Sequence, residues 1–478
     1  MPIQFIDNNT FIDKKTRTLI RSHVAKGKNL GRVIHRPSRY PRKRQVTASV
    51  VSSSKPPSST ESEAYNDENL ESSLSIQRHL QGDLSTSLPF EVSQTCRRLF
   101  HRFITFMSVA AYPPELKDTV VNVNAPRLFL RYAFVDEAFF HCVVAMSVAA
   151  AVSLPVTRQE TTEALHHLSR SLRLVNERLA GDRELALSNT TLGAVIVMTQ
   201  HERLLGYHHH ALVHFEGLLR IIDLRGGIVS LILDCPGIAQ KALRADFDFA
   251  LQFGSPTRFD AECVPGKATL DWLHEKYRAR RADSPNMLAF IARVDQNLQR
   301  VYEDISVLAW LVNDNTVHGV RVDDFDFHNL LLLAGYRVLK VRPLNSPIEV
   351  TNKLELLLHL GLTALMSMFF NTLGVKRLDV HFLKRSIVSA TTERYYDDKE
   401  EQELLLWLLL IGKSSVFRDS DEDLWLIPQI SRVATQLGLS TWDHVYATLQ
   451  KFPWVRAFSD DTAQTLWNQI GPFARLEF

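Results

Sequence analysis

Residues 161–228 read TTEALHHLSRSLRLVNERLAGDRELALSNTTLGAVIVMTQHERLLGYHHHALVHFEGLLRIIDLRGGI, and their periodicity decides the fold class. Leu165, Leu168, Leu172, Val175 and Leu179 recur at spacings of three and four, which places them on one face of a helix. Gly181-Asp182 breaks the pattern, and Ser188 follows as an N-cap whose hydroxyl can accept a free backbone N–H. A second helix then carries Leu192, Val195, Ile196 and Thr199 inward until Gly206 interrupts it. A third returns with Leu212, Phe215, Leu219 and Ile222, and Gly226-Gly227 supplies a left-handed stop. Short connections between such helices favour antiparallel neighbours.

The same period runs outward in both directions. Upstream, Val92, Cys96, Leu99, Phe103 and Phe106 form one stripe, and residues 128–154 read as a long, mostly buried helix. Downstream, helices are expected over residues 236–253, 287–312, 329–341, 354–373, 384–394, 401–411, 428–437 and 441–450, with loops at 254–258 and 264–267. Hardly any stretch alternates with period two, so a sheet is not expected. The expected architecture is all-α: a large multi-helix domain of antiparallel helix pairs.

Composition divides the chain into three parts. Residues 1–45 hold twelve Lys/Arg against two Asp, a net charge of +10. Because the whole chain carries +2, the remainder carries −8. Residues 46–88, including SVVSSSKPPSSTESEAYNDENLESS, are rich in Ser, Pro and acids and poor in core-forming residues; such a segment cannot offset its chain entropy by burial. The expected organisation is a basic arm (1–45), a disordered linker (46–88) and a helical domain (89–478).

Cys96, Cys142, Cys235 and Cys263 are far apart and form no paired-thiolate motif, which argues against a disulfide framework or a zinc site. With no apolar leader, a reducing intracellular compartment is expected. Residues 139–156 and 356–375 lack Asp, Glu, Lys and Arg, but His141 and His359 interrupt them, and they read as buried helices rather than membrane spans.

Candidate chemistry is sparse. His201, His208, His209, His210 and His214 cluster, and His210 and His214 stand one turn apart, but no further ligand completes a set. His201-Glu202 is followed by Arg-Leu-Leu, so the zincin pattern H-E-x-x-H fails. A polar helix start with partly buried imidazoles is expected. Gly412-Lys413-Ser414 has Trp407 where a phosphate loop needs glycine, and reads as a helix end. Asp323/Asp324 and Asp397/Asp398 read as solvated loop acids. No catalytic, cofactor-binding or metal-binding residue is assigned. The better signal is RPSRYPRKR at residues 36–44, where Arg36, Arg39, Arg42, Lys43 and Arg44 suit nuclear-import recognition or phosphate contact.

These features together resemble the fungal-specific transcription factor domain. The matching stretches are RRLFHRFITFMSVAAYP (97–113), FVDEAFFHCVVAMSVAAA (134–151), ALHHLSRSLRLVNERLA (164–180), LSNTTLGAVIVMTQ (187–200) and HFEGLLRIIDLRGGI (214–228). LLLWLLLIGKSSV (404–416) and WDHVYATLQKFPWV (442–455) look like the family's C-terminal signatures, so the resemblance spans about residues 89–458. FIDKKTRTLIRSHVAKGKN (11–29) is similar to the start of fungal proteins of this kind that lack a zinc cluster. The binuclear cluster itself needs six closely spaced cysteines, and none occurs before Cys96. The resemblance therefore implies a nuclear transcriptional regulator or co-regulator of fungal genes, with a metabolic pathway as a candidate target. It would work with the transcription machinery or a DNA-binding co-regulator, touching DNA at most weakly through the arm. It implies no enzyme activity and no membrane, and leaves homo- or heterodimer formation open. The alternative is a helical interaction or small-ligand-binding protein with no transcriptional role.

Overall fold

The computed structural model describes residues 93–109, 116, 118–121, 130–149, 158–282, 291–314, 319–346, 352–370, 380–392, 395–418 and 423–470. The basic arm, the linker, Val92 and the side chain of Phe106 lie outside the described residues. Eighteen described helices carry the fold, with one parallel pair of two-residue strands, β1 (Val120–Val121) beside β2 (Val322–Asp323). The chain is all-α, as its periodicity predicts.

In chain order the helices are α1 (Gln94–Val109), α2 (Glu137–Ala149), α3 (Arg158–Ala180), α4 (Arg183–Ala186), α5 (Asn189–Leu204) and α6 (His208–Leu224). Next come α7 (Gly227–Asp234), α8 (Pro236–Phe253), α9 (Lys267–Lys276), α10 (Arg278–Ala282), α11 (Gln296–Asn313) and α12 (Asp324–Val341). The last are α13 (Lys353–Phe370), α14 (His381–Thr392), α15 (Lys399–Ser415), α16 (Asp423–Gln436), α17 (Trp442–Leu449) and α18 (Arg456–Ile470).

Within residues 161–228 the three expected helices are α3, α5 and α6. Ser188 caps α5 by accepting the Thr191 N–H at 3.2 Å, and Leu192, Val195, Ile196 and Thr199 are buried. The stripe on α3 is rotated from its expected position. Leu165 is 56% exposed and Leu179 48%, whereas Ala164, His167, Ser171 and Val175 face the core. Polar pairing turns the helix this way: Ser171 donates to the Ala138 carbonyl at 2.7 Å, and Arg178 pairs with the buried Asp136 at 2.9 Å. Gly226 and Gly227 have positive φ as expected, but the chain re-enters a helix at once as α7.

Other boundaries move where a side chain caps. Of the long helix expected over 128–154, the described residues 130–149 hold a 3-10 turn (Arg131–Phe134) followed by α2, because Asp136 accepts the Phe139 N–H at 2.8 Å and restarts the helix. Asp295 accepts the Asn297 N–H and starts α11 at Gln296, inside the helix expected over 287–312, of which residues 287–290 lie outside the described residues. Asp323 caps α12 five residues early, and Asp398 caps α15. Asp323 and Asp398 are therefore caps rather than solvated loop acids, and Asp324 is 1% exposed. Gly412-Lys413-Ser414 lies in the last turns of α15, where the Ser414 hydroxyl donates to Leu410 O.

The core is one continuous apolar cluster running from α1 to α18. Its tightest crossing joins α13 and α15. A methyl group built on Gly361 would fall 2.0 Å from the six-membered ring of Trp407. That indole is fully buried and is fixed by its Nε1–H, which donates to the Pro453 carbonyl at 3.0 Å. Helix α13 is the one described helix long and apolar enough to cross a membrane, and 89% of that stretch is buried inside the protein. Burial on all sides accounts for its apolar composition.

A matched pair of substitutions tests this crossing. Gly361→Ala must displace Trp407 and is expected to destabilise by roughly 1–3 kcal/mol. Gly217→Ala on α6, where a methyl meets nothing within 4 Å, is expected to be neutral or to stabilise by up to about 1 kcal/mol. Urea melts of both variants read the difference; equal midpoints would contradict the packing.

Candidate functional site

A polar cleft of about 950 Å³ opens between α9, α11 and α12, beside the 3-10 turn Ala261–Cys263. Helical spacing aligns its walls: Lys267, Asp271 and His274 on α9, Asn297, Arg300 and Asp304 on α11, Arg337 and Lys340 on α12. Among its lining residues, Val301 and Val341 alone are apolar.

Its floor is Asp304, 4% exposed. An unpaired carboxylate there would be costly, and both of its oxygens are satisfied. Arg337 donates to Oδ2 at 2.6 Å and His274 Nε2–H donates to Oδ1 at 2.7 Å. Because the carboxylate accepts, the His274 proton sits on Nε2, and Nδ1 is buried without a hydrogen-bond partner. At the rim, Lys267 pairs with Asp271 at 2.5 Å, Lys340 with Asp260 at 3.0 Å, and Arg278 with Glu275.

A buried carboxylate also holds the rim in place. Asp246 accepts the backbone N–H groups of Arg258 and Phe259 and the Tyr336 hydroxyl, at 2.8, 3.1 and 2.8 Å. Burial raises its pKa despite these donors. The loop reaching Asp260 and Glu262 is thereby tied to α8. Its start is equally constrained: Gly254 has φ +67°, and a side chain there would meet Phe382 and the Asn345 N–H at about 3 Å.

Two of the histidines singled out in the sequence, His201 and His210, meet one carboxylate. Glu202, at the end of α5, receives His201 Nδ1 at 3.2 Å and His210 Nδ1 at 3.4 Å. Burial lowers the pKa of His201 and of His214, and His208 instead meets Gln252 at 2.6 Å. The expected polar helix start with partly buried imidazoles describes this cluster. Among the described residues no group of three or more His, Cys, Asp or Glu is arranged to hold a metal. Arg36, Arg39, Arg42, Lys43 and Arg44 lie outside the described residues.

Sequence reasoning missed a second imidazole pair. His141 on α2 and His167 on α3 stack with ring centroids 4.8 Å apart and are hydrogen-bonded through their Nδ1 atoms at 2.6 Å. Each also has a carboxylate four residues before it, Glu137 at 3.5 Å and Glu163 at 3.6 Å. The signal was present as the repeated spacing Glu-x-x-x-His in two adjacent helices. Burial, then its neighbour His141, pushes His167 down to about 4. Burial likewise takes His359 to about 4; its Nε2–H donates to the Val338 carbonyl at 3.0 Å and ties α13 to α12.

These shifts set a direction for acid stability. A histidine near 6.5 when unfolded and near 4 when folded binds fewer protons in the folded state across that window. Stability is therefore complete above about pH 6.5 and is lost as pH falls toward 4, with each unit worth about 1.4 kcal/mol per group. His359→Gln keeps a donor for Val338 O and removes the titration. Between pH 6.5 and 4 its stability is expected to fall less steeply than that of the unmodified chain; parallel curves would refute the assignment.

The chain has no match among curated proteins or among solved structures. One family model matches, over residues 122–253, a span that includes α2 to α8 and with them both histidine clusters and Asp246. That model describes the fungal specific transcription factor domain, and it is to this family that residues 122–253 of the chain are matched.

Proposed function

We propose that the protein is a nuclear transcriptional regulator or co-regulator of fungal genes, serving a metabolic pathway, in which the helical body regulates and the basic arm supplies import and charge. The observation that carries this reading is the match of residues 122–253 to a transcription factor domain, which is not an enzyme family. Two features of the chain support the division of labour. Residues 1–45 concentrate a net +10, whereas the remainder carries −8 and is disfavoured electrostatically at a phosphate backbone. Residues 1–95 hold no cysteine, which supports a body that acts through protein partners or a DNA-binding co-regulator.

Import is the direct test. Replacing Arg42, Lys43 and Arg44 with Ala should move a fluorescently tagged chain from nucleus to cytoplasm. An unchanged nuclear signal would remove the arm from this role. Nuclear exclusion of the unmodified chain would favour the alternative, a helical binding protein with no transcriptional role.

Any contact of the arm with DNA is expected to run through phosphates, since a short Arg/Lys run offers charge without a rigid element to present side chains to base edges. Binding should tolerate sequence changes and weaken steeply with salt, each phosphate contact adding about 0.9 to the logarithmic slope. Competition assays at two salt concentrations measure this. Tight, salt-resistant binding of one sequence by residues 89–478 would place the DNA-reading surface in the body instead.

A further inference from the structure

The cleft between α9, α11 and α12 has a charge arrangement that its own pairing leaves incomplete. Asp304, Asp271 and Asp260 are each neutralised by a partner within the fold, as described above. Arg300 is different: it is exposed, and it has no ion partner among the described residues. It stands one helical turn from Asp304 on the same wall, with Asn297 one turn further along. Arg337 reaches Asp304 from the opposite helix through NH1, leaving its other N–H groups without a hydrogen-bond partner among the described residues. Two guanidinium groups and an amide therefore serve one stretch of the cleft, a donor set that suits a carboxylate. On the cleft's lining beside α9, the Glu262 side chain is the complementary case, an acid with no partner among the described residues.

From this arrangement we propose that the cleft binds a small zwitterion of the amino-acid class. The ligand's carboxylate is held by Arg300 and Arg337 with Asn297, and its cationic nitrogen is drawn to the acidic side of Glu262. Three alternatives fit less well. A polyanion would meet Glu262 and Asp295 as well as the arginines. An apolar ligand would find only Val301 and Val341 to cover it. A simple cation would have to approach past the unpaired Arg300. At about 950 Å³ the cleft lies within the range of small-ligand sites and has room for the ligand with bound water.

The proposal deepens the regulatory reading, because an amino-acid site is a natural input for a regulator of metabolism. It is tested without any promoter, so its failure and the failure of that reading are distinguishable. The purified full chain is screened by thermal shift against the twenty proteinogenic L-amino acids, with tricarballylate as a polyanionic control and sodium chloride to match ionic strength. Responders are then titrated calorimetrically. At least one amino acid is expected to bind saturably. Arg300→Ala, an exposed change that should leave the melting curve unaltered, is expected to weaken it at least tenfold. Glu262→Gln should also weaken the amino acid, while leaving tricarballylate unchanged or tighter. No amino-acid response, a response indifferent to Arg300→Ala, or a stronger response to tricarballylate would each overturn the proposal.

Discussion

The ring of Trp407 lies against the bare backbone of Gly361, and the position of the cleft follows from that contact. A glycine at the crossing lets α13 and α15 approach more closely than any side chain would permit. Helix α15 then packs against α16, α17 and α18, while α13 packs against α12 and α14, so one crossing joins these two groups of helices. From α13 the connection continues through His359, whose bond to the Val338 carbonyl locks α12 in register. Arg337 is the residue before Val338. Its grip on Asp304 is thus set by a helix whose place is fixed from behind.

Buried charge organises the other half of the molecule in a similar way. Asp248, 1% exposed, is clamped between Arg203 at 2.6 Å and Arg244 at 2.8 Å, joining α5 to α8. Arg244 continues to the Phe370 carbonyl at the end of α13 and lies over the Phe370 ring. Removing one member of such a set would strand the others in a poorly solvated interior, at a cost of roughly 3–5 kcal/mol. These links run from the stretch matched to the transcription factor family into the later helices. The two regions therefore share a core as well as a chain.

Much of this architecture was legible in the sequence, and the exceptions have a common physical cause. Residues 236–253 were readable as a helix to the residue, because Pro236 opens it and Gly254 closes it. Hydrophobic period misplaced α3, since the residues that decide its rotation are Ser171 and Arg178, polar groups whose partners Ala138 and Asp136 lie on another helix. Capping aspartates likewise set the starts of α2, α11, α12 and α15, and Asp reads as a loop residue until its acceptor role is seen. The cleft was not legible. Its members come from α9, α11 and α12, and no local pattern reveals that Asp304, His274 and Arg337 meet. The Glu202 cluster was visible as a run of histidines, whereas the pair of His141 and His167 was hidden by separation along the chain.

The proposed function, a regulator that reaches chromatin mainly through others, rests on the family match and on the concentration of positive charge in residues 1–45. The most direct measurement is genome-wide chromatin immunoprecipitation of the tagged full chain alongside a chain lacking residues 1–45 but supplied with an independent nuclear-import signal. The account predicts that both occupy a common, limited set of promoters, with the arm adding at most a modest, sequence-independent gain. Absence of promoter enrichment for both chains would contradict it.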